Sequence, residues 1–241
     1  MVFRFMKPML VVLLCFCGLV VRGESKTSGE QIAEWRTAAE KGDAKAQYEI
    51  GFCYATGQGL LQNADEAVKW CRKAADQNYS EAQNTLGRLY NSGIGVSKSQ
   101  TEAVIWWRKA ADQGHPQAQC SLGFCYLHGE GVKKSSEVAA KWYRKSADQG
   151  NTIAQNYLGA CFERGDGVRR NLVEAASWYR KAADLGYAKA QNNLGLCYVN
   201  GLKERELDAA TTAWECHGDC FVLAKWVGVE VELQRSGHPF G

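Results

Sequence analysis

Residues 82–114, AQNTLGRLYNSGIGVSKSQTEAVIWWRKAADQG, decide the fold of this chain because the same pattern returns every 36 residues. Three kinds of residue recur in one register, with no insertion or deletion between them. They are the glutamines Gln47, Gln83, Gln119, Gln155 and Gln191, the glycines Gly51, Gly87, Gly123, Gly159 and Gly195, and the tryptophans Trp70, Trp106, Trp142, Trp178 and Trp214. Chance does not align several columns in this way, so the chain is predicted to be an array of structural repeats.

Each repeat is predicted to contain two helices, over residues 43–55 and 63–76 in the first unit. The apolar residues of the first segment are spaced i, i+4, i+7 and i+8, which places them on one helical face: Ala46, Ile50, Cys53 and Tyr54. The second segment has a wider apolar face. A Gly-x-Gly turn such as Gly57/Gly59 separates the two, because glycine permits the positive φ that ends a helix and reverses the chain. The predicted fold class is all-α.

The glycine inside each first helix needs a separate explanation. A mid-helix glycine costs about 1 kcal/mol relative to alanine. Its repetition at Gly51 and Gly87 predicts a close approach there, either by the large tryptophan of the repeat or by a neighbouring helix backbone.

The pattern A-x-x-x-L-G-x-x-Y-x-x-G-x-G-V, followed by A-x-x-W-[YW]-R-K-A-A-D-x-G, resembles the Sel1-like repeat family, a relative of the tetratricopeptide repeat. The resemblance covers about residues 44–200. It implies a right-handed superhelical solenoid of antiparallel helix pairs, used mostly as an adaptor or scaffold, with no common active site. The expected units are a half repeat over 24–43, repeats over 44–79, 80–115, 116–151 and 152–187, a degenerate repeat over 188–223 and a divergent tail over 224–241.

Residues 1–23 are predicted to be a secretory signal peptide. Arg4 and Lys7 precede an apolar run over 9–21, which as a helix would span about 20 Å and is too short for a hydrocarbon core of about 30 Å. Cleavage is expected after Gly23, giving a secreted or periplasmic protein with no stable membrane insertion. An uncleaved anchor and a buried N-terminal helix are the alternatives.

The charge of the chain argues against nucleic-acid binding. Residues 1–23 hold three of the 29 basic residues and none of the 26 acidic ones, so the rest of the chain carries equal numbers of both. A balanced chain lacks the basic excess that phosphate backbones select.

The candidate binding residues are those that differ between repeats on the first helices: Tyr48, Phe52, Arg88 and Phe124. In related solenoids the first helices line the concave face, so the resemblance implies a protein or peptide partner there. Aromatic residues and arginine are favoured at binding hot spots. The alternative is a solvated face that carries scattered apolar residues.

The cysteines are interpreted mainly as core residues. Cys53, Cys125, Cys161 and Cys197 occupy one column on the apolar face and are predicted to be small buried hydrophobic residues. A disulfide between Cys53 and Cys71 is possible. The segment 216–220 contains two cysteines and a histidine, but its spacing is unlike that of structural zinc sites, so no metal and no cofactor are expected.

The leading hypothesis is therefore an exported, non-enzymatic interaction scaffold. The alternative is a secreted, cysteine-containing Sel1-like protein that binds or weakly hydrolyses β-lactams, as the resemblance permits. The chain after residue 23 contains no Ser-x-x-Lys motif, which argues against that alternative.

Overall fold

A computed structural model describes residues 29–199, and within that range it contains ten α-helices and no strand. Each helix contacts the next one along the chain, so the all-α array of helix pairs is confirmed. The predicted segments 43–55 and 63–76 correspond to α2 and α3. The helices are α1 Gly29–Glu40, α2 Ala44–Thr56, α3 Ala64–Asp76, α4 Ser80–Ser92, α5 Gln100–Asp112, α6 Pro116–His128, α7 Ser136–Asp148, α8 Thr152–Arg164, α9 Leu172–Asp184 and α10 Ala188–Val199.

Local side chains and glycines set the helix ends. Asn63 and Ser99 precede α3 and α5, and their side-chain oxygens accept hydrogen bonds from the free amides of the first turn. Gly93 follows α4 with φ 74°, and its amide donates to the carbonyl of Leu89. The left-handed conformation explains why glycine recurs at this turn.

The second glycine of each turn contacts the preceding unit. A Cβ atom on Gly131 would collide with the carbonyl of Gln100 at the start of α5, and one on Gly167 would collide with Ser136 at the start of α7. These turns therefore press directly on the backbone of the preceding second helix, which fixes the position of one unit on another.

The glycine column of the first helices packs against flat side chains from the second helices. A Cβ atom on Gly87 would lie 2.6 Å from Cδ1 of Trp107, and one on Gly159 would lie 2.7 Å from Cδ1 of Tyr179. Of the two expected causes, the tryptophan column does not make this contact, because the residue that follows that column does so at Gly87, Gly123 and Gly159. The reason is directional, because adjacent helix residues point about 100° apart. Trp106 instead packs in the cluster that contains Val68 and Ala75 of the preceding unit. At Gly51 the neighbouring helix itself comes close, with Cys71 Sγ 2.8 Å, Cys71 N 3.1 Å and Ala67 O 3.3 Å from a Cβ atom.

The glutamine column is a hydrogen-bond ladder. The Nε2 atom of Gln83 donates to the carbonyl of Ala75 at 3.1 Å, and its Oε1 atom accepts from Gln113 at 2.7 Å. Gln119 repeats both bonds, with Ala111 and Gln149. Each buried amide therefore joins its own helix to the helices before and after it.

The ladder is incomplete in the fourth unit. Gln155 donates to Ala147, but its buried Oε1 atom has no hydrogen-bond partner among the residues that the structure describes. Leu185 stands where the other units have Gln77, Gln113 and Gln149, and it is 63% exposed. One substitution thus removes the donor and leaves an apolar side chain in water.

An arginine column adds a second contact between units. The guanidinium of Arg72 lies over the rings of Tyr90 and Trp106 and donates to the Tyr90 hydroxyl. Arg144 lies in the same way over Phe162 and Trp178 of the next unit. These planar stacks combine cation–π attraction with apolar burial.

Replacing Gly87 with leucine is expected to lower the free energy of unfolding by about 3 kcal/mol, because the new side chain meets the fixed ring of Trp107. Urea denaturation followed by circular dichroism measures the change. Arg88→Leu is the control, since it adds the same side chain one residue away on the exposed side of α4. Equal stability of the two variants would contradict the packing explanation.

Replacing Leu185 with glutamine is expected to raise the free energy of unfolding by about 1 kcal/mol, because it supplies the missing donor to Gln155. Thermal and urea unfolding measure the gain. Leu185→Asn is the matched control, since it removes the exposed apolar side chain but is one methylene shorter. If both variants gain equally, exposure of Leu185 rather than the missing bond explains the effect.

Candidate binding face

The first of the four candidate binding residues, Tyr48, is mainly a packing residue. Its ring lies 5.5 Å from the ring of Tyr79 and 6.3 Å from that of Phe52, measured between centroids. Burial raises the pKa of the Tyr48 hydroxyl above its ordinary value. The equivalent residues Asn84, Cys120 and Asn156 are buried.

The column is buried because first helices of adjacent units pack together along it. Asn193 donates to the Oδ1 atom of Asn156 at 2.9 Å, and these two residues are 37 positions apart, one more than the repeat length. A residue in this column therefore faces the next unit rather than solvent.

The column that contains Phe52 does reach solvent. Phe52 and Phe124 are half-buried and Arg88 is exposed, whereas the equivalent Ala160 is buried and Leu196 is 47% exposed. Phe124 packs against His128 at 4.3 Å and against Tyr157 at 6.2 Å, between ring centroids. Phe52 therefore lies beside Tyr48, whereas Phe124 belongs to a separate aromatic cluster.

This second cluster borders a cleft of about 320 Å³ between α6 and α8. Sequence reasoning missed most of the residues around it. If residues of adjacent units are paired 37 positions apart, as Asn156 and Asn193 are, Tyr157 is the partner of Cys120. The 36-residue repeat alone does not suggest this pairing. The lining residues are Phe124, Leu127, His128, Tyr157, Ala160, Cys161, Arg164 and Asp166.

A larger depression, of about 520 Å³, lies along α7. Its charged side chains already cover aromatic rings, with Lys145 Nζ 4.4 Å from the ring of Trp142 and Arg144 over Phe162. Its lining includes Val138 and Val168. It offers an apolar surface, and its remaining charged side chain, Lys141, pairs with Glu137 at 2.6 Å.

The cysteines of the described residues are core residues, as predicted for their column. Cys53, Cys71, Cys120, Cys125, Cys161 and Cys197 are all buried and not disulfide-bonded in the structure. Burial raises the pKa of the Cys71, Cys120 and Cys125 thiols to about 12. At neutral pH these thiols stay protonated and are poor nucleophiles. The Cys53–Cys71 disulfide stays a prediction.

Within residues 29–199 there is no group of three or more His, Cys, Asp or Glu side chains placed to hold a metal ion. The Cys216–Cys220 segment lies outside the described residues. Over the same range, no helix combines the length and the apolar character needed to cross a membrane.

The repeat pattern and its helix pairs agree with a known family model. The Sel1 repeat model matches residues 44–79, 80–115, 116–151, 152–187 and 188–210. The chain belongs to the Sel1 repeat family. Sel1 repeat proteins generally act as scaffolds that bind other proteins.

Two solved Sel1 repeat structures are similar to this chain. A protective antigen present in uropathogenic Escherichia coli strains, with an SLR fold, is 38% identical with a TM-score of 0.71, over 82% of this chain and 41% of that one. A Sel1 repeat protein from Oxalobacter formigenes is 35% identical with a TM-score of 0.67, over 72% and 71%. The chain thus spans about two-fifths of the length of the first. A comparison with curated proteins gives no match.

Alkylation of the folded protein is expected to leave the six described cysteines unmodified, because each is buried and the raised pKa keeps the thiols protonated. Iodoacetamide labelling at pH 8, before and after denaturation, followed by mass spectrometry, measures this. Denaturation without a reductant also tests the predicted bridge. If Cys53 and Cys71 are bonded, they stay unlabelled until a reductant is added, whereas Cys120 is labelled at once.

Proposed function

We propose that this protein is an exported, non-enzymatic scaffold that binds a protein or peptide along the concave face formed by its first helices. Membership of the Sel1 repeat family supports the general role. Export is proposed from residues 1–23, which lie outside the described residues.

One observation carries the choice of face. The column of Phe52 reaches solvent except at Ala160, and its residue changes from each unit to the next: Phe52, Arg88, Phe124, Ala160 and Leu196. The buried columns of Gln47 and Gly51 repeat unchanged because they hold the helices together. Variable aromatic and arginine side chains on a rigid frame are suited to specific recognition, since such residues supply large contact area with little loss of conformational freedom.

The buried thiols favour a binding role over a catalytic one. The described cysteines are protonated core residues and cannot act as exposed nucleophiles. No observation favours the β-lactam alternative. A nitrocefin hydrolysis assay tests it directly, and turnover that one point mutation abolishes would overturn the scaffold proposal.

The face is tested by comparing partner capture by the wild type and by the double variant Phe52→Ala/Phe124→Ala. Crosslinking and mass spectrometry of the exported fraction identify the partners. Loss of partners from the double variant is expected, because truncation of a hot-spot aromatic residue typically weakens binding by 2 kcal/mol or more, about 30-fold.

The matched control is Ile105→Ala/Val173→Ala. It removes two exposed apolar side chains from the second helices α5 and α9 instead. This control is expected to retain the partners, and an identical partner set for both double variants would remove the first-helix face from consideration. The same spectra report the mature N-terminus, expected at Glu24.

A further inference from the structure

Helix α1 is built like the second helix of a repeat, but no first helix precedes it within residues 29–199. In register, Trp35 belongs to the column whose side chains fill the space at the first-helix glycines, and Ala38 belongs to the column of small residues one turn later. In the four later second helices both columns face the first helix of the same unit and are no more than 5% exposed. The members are Cys71, Trp107, Tyr143 and Tyr179 in one column and Ala74, Ala110, Ser146 and Ala182 in the other.

The corresponding face of α1 is only partly covered. Trp35 and Ala38 pack on the core of the first unit, where Ile32 and Ala39 are buried, but both stay half-buried themselves. At the end of the same face, a Cβ atom on Gly42 would have nothing within 4 Å, so the space beside it is open. We name this face the α1 stripe. Its residues are Gln31, Trp35, Ala38 and Gly42, which are spaced i, i+4, i+7 and i+11 and therefore lie along one side of the helix.

Cleavage after Gly23 would leave the stripe without a first helix. Residues 24–28 alone would then precede α1, and these five residues are too few for a helix such as α2 or α4, which have 13 residues each. In the exported form, the helix that covers the stripe therefore does not come from the chain before α1.

The α1 stripe is complementary to itself. It has large side chains at positions 31 and 35 and small ones at positions 38 and 42. When two such helices run antiparallel about a two-fold axis between positions 36 and 37, Trp35 lies opposite Ala38 of the second copy. Gln31 then lies opposite Gly42 of the second copy. Each large side chain thus meets a small one, and the contact occurs twice, as in an isologous interface. The ring of Trp35 packs on a small residue, as the rings of the later second helices pack on glycine.

Charges beside the stripe favour the antiparallel arrangement. Glu34 and Lys41 are both exposed and lie seven residues, or about two turns, apart on the same flank of the stripe. In the antiparallel pair, Glu34 faces Lys41 of the second copy with an axial offset of about 3 Å, since the rise is about 1.5 Å per residue. A parallel pair would instead set like charges against each other. Opposite charges at the rim of an interface fix its orientation more than they raise its affinity.

We propose that the exported protein is a two-fold symmetric dimer in which the α1 stripes of two copies pack antiparallel. Each copy supplies the helix that the half repeat of the other lacks. The dimer carries two first-helix faces, so it binds a partner with two copies of a ligand more tightly than a single chain does. This inference rests on the export part of the proposed function, because cleavage after Gly23 is what leaves the stripe without a first helix.

The first experiment measures the mass of the exported protein by size-exclusion chromatography with light scattering, after mass spectrometry has established its N-terminus. Twice the mass of the mature chain is expected. Ala38→Arg is expected to weaken the dimer at least about 30-fold, because it places a charged side chain beneath Trp35 of the second copy. Ala33→Arg is the matched control, since Ala33 is exposed and lies outside the stripe, and it is expected to stay dimeric. Equal melting temperatures of the two arginine variants in dilute solution exclude misfolding of Ala38→Arg.

The second experiment tests the antiparallel register through charge. Glu34→Lys and Lys41→Glu are each expected to weaken the dimer about 10-fold, because each sets like charges against each other at two symmetric places. Mixing these two variants is expected to restore the wild-type dissociation constant. The recovery reports contact between chains, since each chain keeps its own substitution. Mixing Glu34→Lys with Arg36→Glu is the control, and it is expected not to restore the dimer, because Arg36 is exposed on another side of α1.

The outcomes separate this dimer from the proposed function. A monomeric exported protein, a mass that grows without limit as head-to-tail contacts would give, or a dimer that Ala38→Arg leaves intact would overturn the α1 dimer and leave the scaffold proposal standing. Failure of the mixed charge variants to recover would overturn the antiparallel register. An exported protein that retains residues 1–23 would overturn the predicted cleavage and this dimer together.

Discussion

The contact between a first-helix glycine and a flat side chain of the second helix is the constraint on which the structure depends. Gly87, Gly123 and Gly159 each leave no room for a Cβ atom, since Trp107, Tyr143 or Tyr179 fills that space. The contact sets the distance and rotation within these three helix pairs, and the preceding tryptophan then packs toward the previous unit. Because protein interiors are close-packed, this single arrangement propagates along the array.

Polar contacts secure the same geometry, and their gaps are informative. The glutamine ladder ends at Gln155 because Leu185 removes one donor, and the Tyr143 hydroxyl lacks an acceptor because Leu127 replaces a carboxylate. Both gaps arise where one unit differs from its neighbours. The first lies at an exposed helix end, whereas the second lies in the core, away from water.

Several features of the fold, and the burial of the cysteine column, were predictable from individual residues. The helix segments, the turn glycines and the buried cysteine column follow from periodicity and side-chain size. The tryptophan interpretation of the glycine column failed by one residue, because spacing alone does not show which of two adjacent side chains points inward, whereas the backbone alternative describes Gly51. Tyr48 and Phe124 were both assigned to one binding face, but they lie in separate clusters. Contacts between adjacent units also run over 37 positions, as at Asn156 and Asn193.

The sequence alone determines that this chain is an array of helix pairs with a period of 36 residues, because local helix propensity and apolar spacing repeat in register. The unpaired Tyr143 hydroxyl could not be found in this way. The column of Leu127 mixes apolar and polar residues, and the missing hydrogen bond exists only once folding places the hydroxyl out of reach of water. The unmet polar group therefore belongs to the three-dimensional packing, where burial turns a small difference between repeats into an unsatisfied hydrogen bond.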